Sequence, residues 1–181
     1  MLIDLFNETW KELEDGATKY GHPFRTCSLA TSEISGGIRQ RTVNLRKLTK
    51  ENSLLFYTDV RSTKIEQIRK NPQASTLFYN PSLQLQIFLS GIIKVHSEDS
   101  LWDDHLENIE GRSINDYNTL YAPGKPIKNP IEVTRTKDLN FAILELIPDT
   151  IEYLKLRDEP NRIRALFKLK DNVWEKTFLT P

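Results

Sequence analysis

Cysteine is nearly absent from the sequence, and its scarcity limits the chemistry that the chain can support. Cys27 is the only cysteine among 181 residues, which excludes an intramolecular disulfide and a four-thiolate zinc site. A lone thiol fits a reducing compartment, so we expect a cytoplasmic protein. The strand-like residues around Cys27 predict a small buried side chain rather than a nucleophile.

The chain also lacks an excess of either charge and lacks long apolar runs. Lysine and arginine number 25, aspartate and glutamate number 25, and this balance argues against nucleic-acid binding through bulk charge. No run reaches the roughly 18 apolar residues of a membrane-spanning helix. The acidic N-terminus does not resemble a signal peptide. We therefore expect a small-molecule partner, with no nucleic acid and no membrane.

The hydrophobic pattern predicts one domain over residues 1–181. A helix is expected over residues 3–20, packing on a β core, because Phe6, Trp10 and Leu13 recur at spacings of three and four. A crossover helix is expected over residues 62–71. The predicted strands span residues 24–31, 38–48, 53–58, 73–79, 84–95, 139–147, 150–157, 162–169 and 173–179. Many short strands with few helices indicate a mainly β (α+β) fold, a β-barrel with peripheral helices.

Three further features follow from the pattern. Gly91, inside a long predicted strand, suggests a bulge or a close backbone approach. Residues 97–121 predict one or two helices, with Trp102 and His105 on one face. We do not expect His105 to bind a metal, because no partner falls at a metal-like spacing. Residues 121–130, with three prolines and a glycine, predict a long loop that is functional or covers a site.

The segment from Arg41 to Lys64 carries the strongest signal for a ligand. Arg41 and Arg46 lie on one predicted strand, and Ser62, Thr63 and Lys64 gather where the next strand passes into a helix. A helix N-terminus with unpaired N–H groups, hydroxyls and a cation favours an anion. These residues predict a phosphate-bearing ligand, and the alternative is an ordinary solvated surface.

Several short motifs occur in a fixed order along the chain: HPFRT at 22–26, RTVNLR at 41–46, FYT at 56–58, STK at 62–64 and a W…LTP ending. Together they resemble the pyridoxamine 5′-phosphate oxidase-like, FMN-binding split-barrel family. They are most similar to an uncharacterised subgroup with PFRT and RTV-x-LR motifs. The resemblance implies a split β-barrel with peripheral helices, an FMN cofactor and a homodimer with FMN at the subunit interface.

The resemblance also implies which residues bind the cofactor. The implied FMN-binding residues are Arg41, Thr42, Val43, Leu45, Arg46, Tyr57, Thr58, Ser62, Thr63, Lys64, Gln86 and Arg164. Arg41, Ser62 and Lys64 match phosphate-binding positions, whereas Gln86 and Arg164 match flavin-binding positions. Thr63 stands where the oxidases have an arginine.

The spacing of two of these residues can be compared with the length of FMN. Arg41 and Arg46 would lie roughly 16 Å apart on an extended strand, about the length of FMN. Strict alternation would place them on opposite faces, unless the strand were twisted or bulged.

The substrate positions depart from the oxidase pattern. Pro160 and Arg162 stand where the oxidases have a substrate-binding R-x-H pair, and Leu154 stands where they have a tryptophan. The candidate substrate residues are Arg46, Ser113 and Arg162. The two arginines favour an anionic substrate.

The resemblance implies an FMN-dependent oxidoreductase that transfers a hydride between the flavin and a small, anionic substrate. The flavin performs this chemistry and the protein supplies binding and orientation, so we expect no catalytic side chain and no metal. The alternatives are a non-catalytic flavin carrier or sensor, pyridoxamine-phosphate oxidation itself, and a different ligand such as haem or a deazaflavin.

Overall fold

A computed structural model describes residues 1–156 and 161–181 of the chain. The helices are α1 (Leu2–Thr18), α2 (Thr63–Lys70) and α3 (Ser100–Leu106), with 3₁₀ turns at Pro23–Arg25 and Gly111–Asp116. The strands are β1 (Thr26–Ser32), β2 (Ile38–Leu48), β3 (Leu54–Asp59), β4 (Gln73–Asn80), β5 (Leu85–His96), β6 (Phe141–Lys155), β7 (Ile163–Lys170) and β8 (Val173–Leu179). The predicted mainly β (α+β) fold is confirmed. No helix in the described ranges is long and apolar enough to cross a membrane.

Six of the described strands close into an antiparallel barrel. The strand order is β3-β2-β1-β4-β5-β6, and β3 also pairs with β6. The first half of β6, residues 141–146, pairs with β3, whereas residues 150–155 pair with β7. β7 and β8 therefore extend the sheet beyond the barrel, which splits along β6 as the family resemblance implies.

The prediction of two separate strands over residues 139–147 and 150–157 is wrong, since β6 is one strand of 15 residues. Pro148 lies inside it, and proline is tolerated in a strand mainly at an edge or a bulge. The ladder between β5 and β6 shifts register between Ser90 and Gly91, opposite Pro148. A Cβ atom added at Gly91 would lie 2.0 Å from the Ile147 carbonyl oxygen. The expected close approach at Gly91 is thus confirmed, and it accommodates the proline.

The barrel interior is the main apolar core. Large side chains with no exposed surface, such as Leu45, Phe56 and Phe78, fill it. α1 packs on this core through residues that include Leu13. Cys27 lies in the same cluster, and burial raises the pKa of its thiol far above its usual range. The prediction that Cys27 is a small buried residue is confirmed.

A second apolar cluster covers the outer face of β3 and β6. It contains Leu55, Tyr117, Phe141 and Ile143, with Trp102 packed against them. α3 and the 3₁₀ turn after it therefore form a separate layer outside the barrel. This layer is where the predicted helical face of residues 97–121 is buried.

Candidate functional site

Hydroxyl groups and a lysine meet where β3 ends and α2 begins. Lys64 Nζ donates to Thr58 Oγ1 at 2.9 Å and to Ser62 Oγ at 3.2 Å. Ser62 is the N-cap residue of α2, but its side chain makes no capping hydrogen bond. The Ile65 N–H donates to the Ser62 carbonyl oxygen at 2.9 Å. The N–H groups of Thr63 and Lys64 have no side-chain cap, which leaves them for a ligand.

Arg41 belongs to the same site and reaches it from β2. Its Nη1 atom donates to the Leu29 carbonyl oxygen at 3.3 Å and to Thr31 Oγ1 at 2.6 Å. Its Nη2 atom donates to Gln67 Oε1 at 2.9 Å. All three acceptors are uncharged, so these contacts fix the guanidinium without neutralising it.

Arg41 and Lys64 interact electrostatically. Burial lowers the pKa of Lys64 most, the charge of Arg41 lowers it further, and Asp59 opposes both. Burial also lowers the pKa of Arg41, with a contribution from Arg39. Both oxygens of Asp59 are occupied by Arg61. Among the described residues, no carboxylate pairs with Arg41 or Lys64, so the site carries positive charge for an anionic ligand.

Arg46 forms a second, separate cationic centre. The ladder between β2 and β3 shifts between Leu45 and Lys47, so Arg46 is the extra residue of a bulge. Its guanidinium carbon lies 5.2 Å from the centre of the Tyr57 ring. Its Nε atom is buried without a hydrogen-bond partner. Despite this bulge, the two arginines contact different parts of the fold. Arg46 contacts the layer of α3, whereas Arg41 contacts α2 and β1.

The aromatic side of this second centre is held by α3. The Tyr57 hydroxyl hydrogen-bonds with Nδ1 of His105. Burial lowers the pKa of His105, and Lys47 lowers it further, which favours the neutral ring. Tyr117 also interacts with Arg46. Sequence reasoning did not connect His105 or Tyr117 with Arg46, since only the packing of α3 brings them there.

Gln86 and Arg164 lie in one row on the outer face of the sheet. Gln86 pairs with Leu154, which pairs with Arg164 on the next strand. With strands about 4.8 Å apart, the two residues lie roughly 10 Å from each other. Nε and Nη2 of Arg164 both donate to Glu152 Oε1, at 3.0 and 2.8 Å. The structure therefore places these two predicted flavin contacts on one face of the sheet, two strands apart.

The other predicted FMN-binding residues differ in what they can offer a ligand. Thr42 and Thr63 are exposed, Val43 is partly buried, and Leu45 has no exposed surface. Leu45 is a core residue, so only its backbone remains for a cofactor.

The remaining substrate candidates, Ser113 and Arg162, lie outside β2, the strand that carries Arg46. Ser113 lies in the 3₁₀ turn after α3, where its hydroxyl donates to the Glu110 carbonyl oxygen at 2.6 Å. Arg162 is exposed just before β7. Pro160 lies outside the described residues.

Arg61 connects the start of α2 with the long loop after α3, a link that no sequence motif indicated. Besides Asp59, its guanidinium donates to the carbonyl oxygens of Thr119 and Leu120, at 2.9 and 3.2 Å. The predicted loop over residues 121–130 has no helix or strand, and it borders a cavity of about 650 Å³. Arg61 thus fixes one end of this loop beside the Lys64 site.

One group of described residues, Glu12, Asp15 and His22, has ligand atoms close enough for a metal. The Nδ1 atom of His22 accepts a hydrogen bond from the Phe24 amide, so Nε2 of the neutral ring carries the proton. Nε2 lies 3.4 Å from Glu12 Oε2, and Asp15 is paired with Lys19 at 2.9 Å. A protonated ring nitrogen has no lone pair for a metal, and the group is a hydrogen-bonded network.

A family model described as "Pyridoxamine 5′-phosphate oxidase, FMN-binding domain" matches residues 7–97. This range contains Arg41, Arg46, Lys64 and Gln86. It does not reach Arg164.

Curated relatives carry the same name. A pyridoxine/pyridoxamine 5′-phosphate oxidase of Acinetobacter baumannii (strain SDF) is 30% identical over 171 residues, covering 85% of this chain and 77% of that protein. One of Rhodopirellula baltica is 42% identical over 74 residues, covering 40% of this chain but only 33% of that protein. The latter match is confined to a third of the relative's length.

A solved structure shares the whole fold. The crystal structure of a pyridoxamine 5′-phosphate oxidase-related, FMN-binding protein from Nostoc punctiforme has a TM-score of 0.79 and 27% identity. The match covers 97% of this chain and 96% of that one.

Proposed function

The chain belongs to the pyridoxamine 5′-phosphate oxidase family with an FMN-binding domain, and from this premise we propose that it binds FMN and transfers a hydride between FMN and a small, anionic substrate. The observation that carries the proposal is the pair of cations Arg41 and Lys64, held beside the start of α2 by uncharged partners. A phosphate dianion is the ligand that such a site would compensate.

The phosphate end of FMN would be held by Arg41, Lys64 and the hydroxyls of Thr58 and Ser62. These residues fit the group, because their positive charge has no carboxylate partner among the described residues. The exposed hydroxyl and N–H of Thr63 adjoin the same helix start. Charge-assisted hydrogen bonds from such donors are among the strong ones.

The flavin end would be completed by a second copy of the chain. The outer face of β4 and β5 carries apolar side chains that water would otherwise cover: Leu77 and Tyr79 are 41% and 47% exposed, and Phe88 is partly buried. Gln86 and Arg164 lie on this same face. A homodimer that buries the face would bring them to the FMN of the partner subunit.

The substrate would bind near Arg46. This residue is partly exposed, and its guanidinium would pair with an anionic group of the substrate through charge-assisted hydrogen bonds. Bound FMN supplies the hydride chemistry. Arg46 would bind and orient the substrate, and the ring of Tyr57 would keep the guanidinium in place. The exposed Arg162 offers a further positive charge at the start of β7.

Oxidation of pyridoxamine phosphate is the more specific candidate, because the relatives that match this chain carry that name. Arg162 and Pro160 replace the R-x-H pair of the oxidases, so a different small anion remains the broader proposal. The lone buried Cys27 is consistent with a cytoplasmic enzyme.

The test is the visible absorption spectrum of the purified protein, followed by titration with FMN and then with pyridoxamine phosphate. We expect a bound-flavin spectrum that saturates at one FMN per chain and bleaches when a substrate reduces the flavin. Bound FMN that no amine or nicotinamide donor reduces would favour a carrier or sensor. A protein that ignores FMN would overturn the proposal.

A further inference from the structure

Gln67 is a buried amide on α2 that contacts the proposed phosphate-binding arginine. Its side chain is 3% exposed. Its Oε1 atom accepts from Arg41 Nη2 at 2.9 Å and from Thr31 Oγ1 at 2.8 Å. Thr31 Oγ1 in turn accepts from Arg41 Nη1 at 2.6 Å. The three side chains thus form a closed ring of hydrogen bonds.

The direction of these bonds is fixed by chemistry. Arginine has only donors, so the amide must turn its oxygen toward Arg41. The Thr31 hydroxyl, which accepts from Arg41, has one proton to give, and Gln67 Oε1 receives it. Both side chains are buried, so moving the guanidinium would leave buried polar groups without hydrogen-bond partners.

The uncharged state of this ring matters for binding. A glutamate would fit the same space as Gln67 and would hold Arg41 more strongly through a charge-assisted bond. It would also neutralise the cation that a phosphate requires. A buried neutral acceptor instead fixes the position of Arg41 and leaves its charge, with that of Lys64, for the ligand.

We propose that Gln67, supported by Thr31, is a positioning residue that holds Arg41 in place with its charge uncompensated and thereby makes the site select phosphorylated over unphosphorylated flavin. This inference rests on the proposed FMN function. It concerns residues that make no proposed contact with the flavin ring, so riboflavin, which lacks the phosphate, is the natural reference ligand.

The experiment measures dissociation constants of FMN and riboflavin by flavin fluorescence, together with thermal unfolding of the flavin-free protein. For Gln67→Glu we expect FMN binding to weaken by about a hundredfold, because a carboxylate repels phosphate at short range, while thermal stability stays the same or rises. For Gln67→Met we expect FMN binding to weaken by about tenfold, with a fall in thermal stability. Riboflavin binding should change by less than about threefold in both variants.

The matched control is Gln73→Glu, the same chemical change at an exposed position at the start of β4. It should leave the preference for FMN over riboflavin intact. Weaker FMN binding together with preserved stability in Gln67→Glu separates a charge effect on the site from a general loss of structure.

Two results would overturn the inference: Gln67→Glu binding FMN as tightly as the unaltered protein, or losing FMN and riboflavin in equal measure. If the unaltered protein binds neither flavin, the FMN function fails, and titration with inorganic phosphate followed by phosphorus NMR decides the role of Gln67 independently. Weaker phosphate binding in Gln67→Glu would then support it, and equal or absent phosphate binding would refute it.

Discussion

Arg41 and Arg46 lie on the same strand, yet the fold holds their guanidinium groups in different ways. Arg41 is fixed by three uncharged acceptors on β1 and α2. Arg46 rests on the Tyr57 ring and keeps an unpartnered Nε atom. A guanidinium fixed by several hydrogen bonds suits a ligand that always binds in one place, as a cofactor does. One held by an aromatic face keeps donors for a ligand that comes and goes.

The largest effect on FMN binding is expected for Arg41→Ala. It removes the fixed cation, and we expect the dissociation constant of FMN to rise well above tenfold, since charge-assisted phosphate contacts are strong. Flavin fluorescence titration measures it, with riboflavin as the reference ligand. Unchanged FMN affinity would show that Arg41 does not hold the phosphate.

Lys64→Ala tests the other cation of the same centre, with a smaller expected effect of about tenfold on FMN affinity. The loss should shrink at alkaline pH, because burial and Arg41 lower the pKa of Lys64, and a deprotonated lysine contributes no charge. Titrations at several pH values measure this. A loss of equal size at every pH would mean that Lys64 acts through packing alone.

Arg46→Met should separate the two centres. We expect FMN affinity to stay within about threefold, because Arg41 and Lys64 remain. We expect the KM of an anionic substrate to rise about tenfold, because the charge of Arg46 is lost. Steady-state kinetics of the FMN-loaded protein measures the KM. A large loss of FMN affinity instead would assign Arg46 to the cofactor.

The smallest expected effect concerns the support of Arg46. Burial lowers the pKa of His105, so the unfolded chain binds more protons than the fold between that lowered pKa and the ordinary value near 6.5. The stability that neutral His105 contributes is present above about pH 6.5 and is lost as pH falls through this window. His105→Asn keeps a hydrogen-bond acceptor near the position of Nδ1 but removes the titrating ring. On acidification through this window, we expect the melting temperature of His105→Asn to fall by a few degrees less than that of the unaltered protein. Parallel acid dependence in both proteins would rule out His105 as the titrating group.

Much of the secondary structure could be predicted from hydrophobic periodicity and turn residues. Strands such as β2 match their predicted range because alternation and glycine-bounded turns are local signals. The predicted break between residues 147 and 150 is wrong, because Pro148 lies inside β6. Its place inside β6 depends on Gly91 on another strand, and no local pattern carries that information.

The residues of the candidate site also fall into those that local motifs predict and those that only the tertiary structure places. Residues of contiguous motifs, such as Ser62 and Lys64, come together because one strand runs directly into one helix. Gln67, Tyr117 and Arg61 could not be placed from their own residue types, since glutamine, tyrosine and arginine occur on many surfaces. Their contacts with Arg41, with Arg46 and with the loop after α3 join residues distant in the chain, and only packing defines these contacts.

The amino-acid sequence alone was enough to predict the family, the mainly β fold and a helix start rich in hydroxyls and positive charge. These depend on local periodicity and on ordered motifs. The tertiary structure sets the neutral partners of Arg41, which lie on β1 and α2. It also decided that Arg46 faces a separate aromatic layer. Charge compensation is a property of contacts in space, and the order of residues along a chain does not specify it.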